Sequence, residues 1–128
     1  MKPLRFILVG LGARSRIWRR VIAEHADCRL VGVAELDSDR LARVRGELGE
    51  ASDGEVAAGG TLEHVAGQVE ADIALLCTPP AGRDAQIEAA CGAGLAILAE
   101  KPLADTLAGA EAYVTAAERA GVPLAVGL

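Results

Sequence analysis

The short apolar runs of this 128-residue sequence hardly alternate with polar residues. Leu4-Arg5-Phe6-Ile7-Leu8-Val9 stops at Gly10. Leu30 to Ala34, Ile73-Ala74-Leu75-Leu76-Cys77, Leu95 to Ala99 and Pro123 to Val126 repeat the pattern. A strand with one wet face is polar at every second position; a strand covered on both faces is not. These runs therefore predict parallel strands between two helical layers. The segments between them have helical spacing. Arg16 to His25 pairs Ile17 with Val21 and Trp18 with Ile22. Ser38 caps a helix facing inward through Leu41, Val44 and Leu48, and Thr61 caps one with Leu62, Val65 and Val69. Asp84 to Ala93 ends at Gly94, and Thr106 to Ala120 at Gly121. Gly49 to Gly60 reads as a loop with a short strand near Val56. The order β-α-β-α-α-β-α-β-α-β predicts an α/β fold: a doubly wound, mostly parallel sheet with helices on both faces, in a single domain over 1–128.

Composition removes several classes of function. Aromatics make up 2% of the residues (Phe6, Trp18, Tyr113), so Ala, Val, Leu and Ile must build the core. Few rings are left for bases to stack on, and a net charge of -5 repels a polyanion, so no nucleic acid is expected. No apolar run approaches the roughly 20 residues that span a bilayer, and the run before Gly10 is too short for a signal-peptide core. A cytoplasmic protein with no membrane partner is the expectation. Cys28, Cys77 and Cys91 form no CxxC pair and no Cys/His cluster, which points to reduced core residues and no metal. Residues 1–46 carry a net +5, and residues 47–128 a net -10. A basic first third suits an anionic ligand, and equally a solvated arginine-rich helix face.

Gly10-Leu11-Gly12-Ala13-Arg14-Ser15 lies between the first strand and the first helix, the context a dinucleotide fingerprint requires. Gly10 permits the tight turn. Gly12 lets the backbone approach a pyrophosphate resting on the helix N-terminus. Ser15 stands where a third glycine or alanine usually gives close helix–strand packing. Arg14 and Arg16 could add contacts to phosphate or point into water. Glu35 closes the second strand, the place for an acid that bonds the adenosine ribose; the other reading is a surface carboxylate near Arg40. A carboxylate there repels a 2′-phosphate and favours NAD, whereas Arg40 could accept one, so NADP stays open. Thr78-Pro79-Pro80 ends the central strand, where ligands of open α/β sheets bind, and forms a ledge for a nicotinamide. Glu100-Lys101-Pro102 puts two charges at the end of a buried strand. They are either a surface ion pair or a lysine that holds a substrate oxygen.

Gly10-x-Gly12, Glu35, Cys77-Thr78-Pro79-Pro80 and Glu100-Lys101-Pro102-Leu103 together resemble the N-terminal half of the glucose–fructose oxidoreductase / inositol dehydrogenase (Gfo/Idh/MocA) family. Gly94 to Ala104 is the most specific stretch, and the likeness covers essentially the whole chain. The resemblance implies a Rossmann domain of an NAD(P)-dependent oxidoreductase that acts on a sugar, a polyol or a related compound. It implies that Lys101 contacts substrate and cofactor as the catalytic residue, and that the Lys101–Pro102 bond is cis. Arg83 stands where many members have a histidine at the cofactor edge, so the resemblance makes it the corresponding contact. The implied cofactor-binding set is thus Gly10, Gly12, Ala13, Arg14, Ser15, Glu35, Arg40, Thr78, Pro79, Pro80, Arg83, Glu100 and Lys101. Family members continue into a second domain that binds substrate and supplies a catalytic histidine. His25, at the end of the first helix, and His64, on a peripheral helix, cannot stand in for it.

Two other readings compete. One is a stand-alone, non-enzymatic nucleotide-binding or redox-sensing module. The other is a methyltransferase of similar build, in which an acid normally precedes the glycines; here that place is Val9. By the resemblance, the chain does not turn over alone. An apolar face left for a second domain predicts self-association, with a homodimer as the partner state.

Overall fold

β1 (Leu4–Val9) buries Phe6 through Val9, and its neighbouring side chains enter opposite cores. Phe6 and Leu8 join Leu11, Ile22, Val33, Val44 and Leu75 on one face of the sheet. Ile7 and Val9 join Val31, Leu62, Val65, Leu76, Ile87, Ile97 and Tyr113 on the other. Double-sided burial of consecutive residues is what the lack of alternation requires. The computed structural model describes residues 2–51 and 55–127. In chain order the elements are β1, α1 (Ala13–Glu24), β2 (Cys28–Ala34), α2 (Ser38–Ala51), β3 (Ala57–Gly59), α3 (Leu62–Ala66), β4 (Ile73–Leu76), α4 (Asp84–Ala93), β5 (Ala96–Glu100), α5 (Leu107–Ala120) and β6 (Leu124–Gly127).

The strands form one sheet in the order β3-β2-β1-β4-β5-β6, and every adjacent pair is parallel. The chain moves outward from β1 to β3, returns to β4 beside β1, and moves outward on the other side. α1 and α2 cover one face; α3, α4 and α5 cover the other. The reversal between β1 and β4 opens a crevice at their carboxyl ends, because the loops after these strands turn in opposite directions.

Several local expectations need correction. α1 starts at Ala13 rather than Arg16, because Gly12 serves as its N-cap and the Ser15 amide donates to the Gly12 carbonyl at 3.1 Å. Of the two apolar pairs on α1, Ile22 is buried, while Ile17 and Val21 face outward at 51% and 46% exposure. Asp37, not Ser38, caps α2: its Oδ1 accepts from the amides of Asp39 (3.0 Å) and Arg40 (3.1 Å). The strand expected near Val56 is Ala57–Gly59, and residues 52–54 of the surrounding loop lie outside the described residues. Thr61 caps α3 through His64 (3.2 Å), as expected, and Thr106, read as the first helical residue, instead caps α5 through Gly109 (3.0 Å).

Two tight features hold the sheet in register. Asp72 fastens the entry of β4 to β1, accepting from the Arg5 amide at 2.8 Å, from Arg5 Nε at 3.1 Å and from Arg5 Nη2 at 3.1 Å. The Arg5 side chain and amide hold the Asp72 carboxyl below its ordinary 3.8. Gly32 lets α3 lie against β2, for a Cβ there would sit 2.7 Å from Val65 Cγ1 and 3.2 Å from Ile7 Cγ1.

Gly32→Ala should therefore overpack this contact and destabilise the fold by about 1–3 kcal/mol, read as a lowered denaturation midpoint in urea. The Asp72 contribution has the sign of a depressed carboxylate. It is fully present above the unfolded value of 3.8 and is lost as pH falls through the lower folded value. Asp72→Asn should be less stable than the parent at pH 7. The difference should shrink steadily below about pH 4, followed by urea titration at each pH.

Candidate functional site

The crevice between β1 and β4 opens into a cleft of about 850 Å³ at the carboxyl edge of the sheet. The β1–α1 turn forms its floor. Gly10 has φ +87°, and a Cβ there would stand 2.9 Å from Thr78 Cγ2 and 3.0 Å from the Thr78 amide nitrogen. Only glycine meets both demands, a left-handed backbone and a strand end pressed against it. Gly12 is open: a Cβ there would meet nothing within 4 Å and would project into unfilled space. Among the described residues the amides of Gly12, Ala13 and Arg14 have no acceptor. Orphan amides at a helix start are suited to an anion. Ser15 faces away from the cleft, fully buried, with its hydroxyl donating to the Gly12 carbonyl at 2.6 Å. It locks the turn and does not line the cleft.

At one end of the cleft stands Glu35. Its Oε1 accepts from the Leu11 amide at 2.9 Å and from Arg40 Nη1 at 3.4 Å, and its Oε2 accepts from the Asp37 amide at 3.1 Å. Burial alone pushes this carboxyl up. The Asp37 and Leu11 amides and the Arg40 guanidinium outweigh it and hold the group below 4.5, so it is an anion at neutral pH. A carboxylate has about four acceptor positions, so one, on Oε2, remains for a hydroxyl donor. Leu36, beside it, is 83% exposed along the cleft wall.

At the other end lie Thr78, Pro79, Glu100 and Lys101. Glu100 ends β5 almost buried. It accepts from Trp18 Nε1 at 3.1 Å and from Arg14 Nε at 3.2 Å on both oxygens. Burial pushes its carboxyl up; the Trp18 and Arg14 hydrogen bonds and the Arg14 and Lys101 charges bring it below 4.5 overall. Glu100 thus steers Arg14 across the cleft floor. Lys101 is exposed and borders the cleft, and the Lys101–Pro102 bond is cis. Cys77 also lines the wall. Burial and the nearby Glu100 charge push its thiol up to about 12, so it offers no thiolate.

The cleft brings together Gly10, Gly12, Ala13, Arg14, Glu35, Arg40, Thr78, Pro79, Glu100 and Lys101. Ser15, Pro80 and Arg83 do not line it. Arg83, read as a contact at the cofactor edge, lies outside the cleft lining. The residue is 1% exposed, and its guanidinium turns inward onto main-chain carbonyls. Neither His25 nor His64 borders the cleft. Two groups of lining residues went unread in the sequence. Gly60, Thr61, Leu62 and Glu63 arrive because β3 pairs with β2, and the Glu35 amide donates to the Gly59 carbonyl at 3.0 Å. The glycine pair before the Thr61 cap was their only signal. Gln86, whose Oε1 accepts from the Thr78 hydroxyl at 2.8 Å, carried none.

Comparison with known proteins agrees with this geometry. Residues 4–128 match the family model of GFO_IDH_MocA, described as an oxidoreductase family with an NAD-binding Rossmann fold. A D-apiose dehydrogenase of Paraburkholderia graminis is 32% identical over 127 residues, covering 98% of this chain and 32% of that protein. The WlbA dehydrogenase from Bordetella pertussis, solved with NADH and UDP-GlcNAcA, superposes with a TM-score of 0.89 at 28% identity, over 98% of this chain and 37% of its own. The biliverdin reductase of Synechocystis, solved with biliverdin and NADP+, superposes with a TM-score of 0.83 at 25% identity, over 98% of this chain and 38% of its own. The chain spans about a third of the length of these relatives. It belongs to the Gfo/Idh/MocA family of oxidoreductases and has that family's NAD-binding Rossmann fold.

Proposed function

We propose that the cleft binds NAD in one orientation and that Lys101 presents a sugar, a polyol or a related hydroxyl or carbonyl compound to it. The observation that carries this reading is the convergence at one switch point of three free amides, an ionised Glu35 and an exposed Lys101. The amides of Gly12, Ala13 and Arg14 would hold the diphosphate, with the Arg14 terminal amino groups adding charge. Glu35 would accept from the adenosine ribose. Thr78 and Pro79 would support the nicotinamide, a carrier that accepts or donates hydride.

The chain's own contribution to the chemistry is placement and charge. Lys101 Nζ would donate to the substrate oxygen and favour its alkoxide-like form as hydride leaves the carbon. The remaining substrate walls and the group that takes the alcohol proton come, in this reading, from protein outside these residues. Alone, they bind the cofactor and do not turn over. A stand-alone sensing module is the weaker reading, because it leaves Lys101 at the cleft without a task. A 2′-phosphate beside the ionised Glu35 would meet a repulsion of about 1–4 kcal/mol at contact distance. Arg40, 3.4 Å from the same carboxylate, offsets part of it, so NAD is preferred over NADP. Self-association would use β6: its outer edge is unpaired among the described residues, and Val126 is 37% exposed.

Calorimetric titration tests the cofactor assignment. The parent chain should bind NAD+ more tightly than NADP+. Glu35→Ala should weaken NAD+ about tenfold or more while narrowing or reversing the gap to NADP+. Unchanged affinity for both cofactors in Glu35→Ala would remove Glu35 from the site and the preference with it.

A further inference from the structure

Arg83 is a cation buried without a carboxylate partner. It is 1% exposed, and among the described residues no Asp or Glu side chain pairs with it. Its partners are carbonyl oxygens from two loops. Nη1 donates to Glu100 at 2.9 Å, to Pro102 at 3.0 Å and to Leu103 at 3.1 Å, and Nη2 donates to Thr78 at 2.6 Å. Nε lies 3.4 Å from the Thr78 hydroxyl. Burying an unpaired charge is costly unless its donors are well used, and these carbonyl dipoles replace its water. The arrangement is selective: Glu100 and Pro102 are the residues on either side of Lys101, and Thr78 is the ledge across the cleft. One planar fork therefore holds both flanks of Lys101 and the ledge at a set separation.

We propose that Arg83 is a positioning residue that fixes the Lys101 turn relative to the Thr78 ledge. What Lys101 does once placed rests on the function proposed above. The placement rests only on the hydrogen bonds. A guanidinium is required, because an ammonium is a point donor and cannot span two loops with a rigid fork. Arg83→Lys thus preserves charge and removes the span.

These 128 residues hold two lysines, Lys2 and Lys101, so ε-13C-lysine labelling gives two signals in the parent and three in Arg83→Lys, and Lys101→Arg made in each background identifies the Lys101 signal. In Arg83→Lys, the carbonyl 13C signals of Thr78, Glu100, Pro102 and Leu103 should shift upfield as they lose the guanidinium donors, with those of β1 and β4 unchanged. NAD+ affinity should stay within about threefold, since the amides and Glu35 are untouched, while the NAD+-induced shift of the Lys101 signal should fall to less than about half. Unaltered carbonyl signals with an unaltered Lys101 signal would overturn the proposal; so would equal carbonyl shifts in the core strands, which mark a purely structural role. If the variant does not fold, 15N spectra of the parent decide. Separate, slowly exchanging Nη signals of Arg83 support the fork, and freely rotating, averaged ones refute it. If the parent binds no NAD+, the cofactor reading fails, while the carbonyl comparison still judges Arg83.

Discussion

The turn at Gly10 has room for a hydrogen atom and nothing larger, and the rest of the cleft is built outward from that fact. Because β4 ends against this turn, the carboxyl ends of β1 and β4 stay adjacent even though their following loops diverge. The amides of the α1 start therefore face a crevice rather than another loop. The same approach sets Thr78 beside the glycine turn. Amide donors and the Thr-Pro ledge thus belong to one rigid unit, and their spacing follows from sheet geometry rather than from flexible side chains.

Charge at this edge is managed by dipoles more than by ion pairs. Glu35 is held by two main-chain amides, with Arg40 at a longer distance. Arg83 is held by carbonyls. Glu100 combines an indole N–H with Arg14. Each group stays charged while largely removed from water, because oriented hydrogen-bond partners, main-chain for Glu35 and Arg83 and side-chain for Glu100, replace the lost hydration. Such fixed partners cost no reorganisation when a charged ligand arrives.

The layer structure was legible in the sequence because burial on both faces removes polar alternation, and that signal survives without knowing what covers the faces. The glycine turn and Glu35 were legible because strand ends and turns restrict residue type there. Other features escaped for physical reasons. Ala13-Arg14-Ser15 contains no apolar periodicity, so the start of α1 was displaced. Asp37 and Ser38 are both good caps, and only the fold chooses between them. Arg83 bonds carbonyls, which every residue carries, so no sequence pattern marks its partners. The β3–α3 turn reaches the cleft through a three-residue strand whose pairing is a tertiary choice.

Cys77 is the only cysteine lining the cleft, and its thiol keeps its proton up to about 12. Peroxides and alkylating reagents attack the thiolate, so this wall of the cleft is chemically quiet toward them. A cleft so lined presents no activated thiol along that wall.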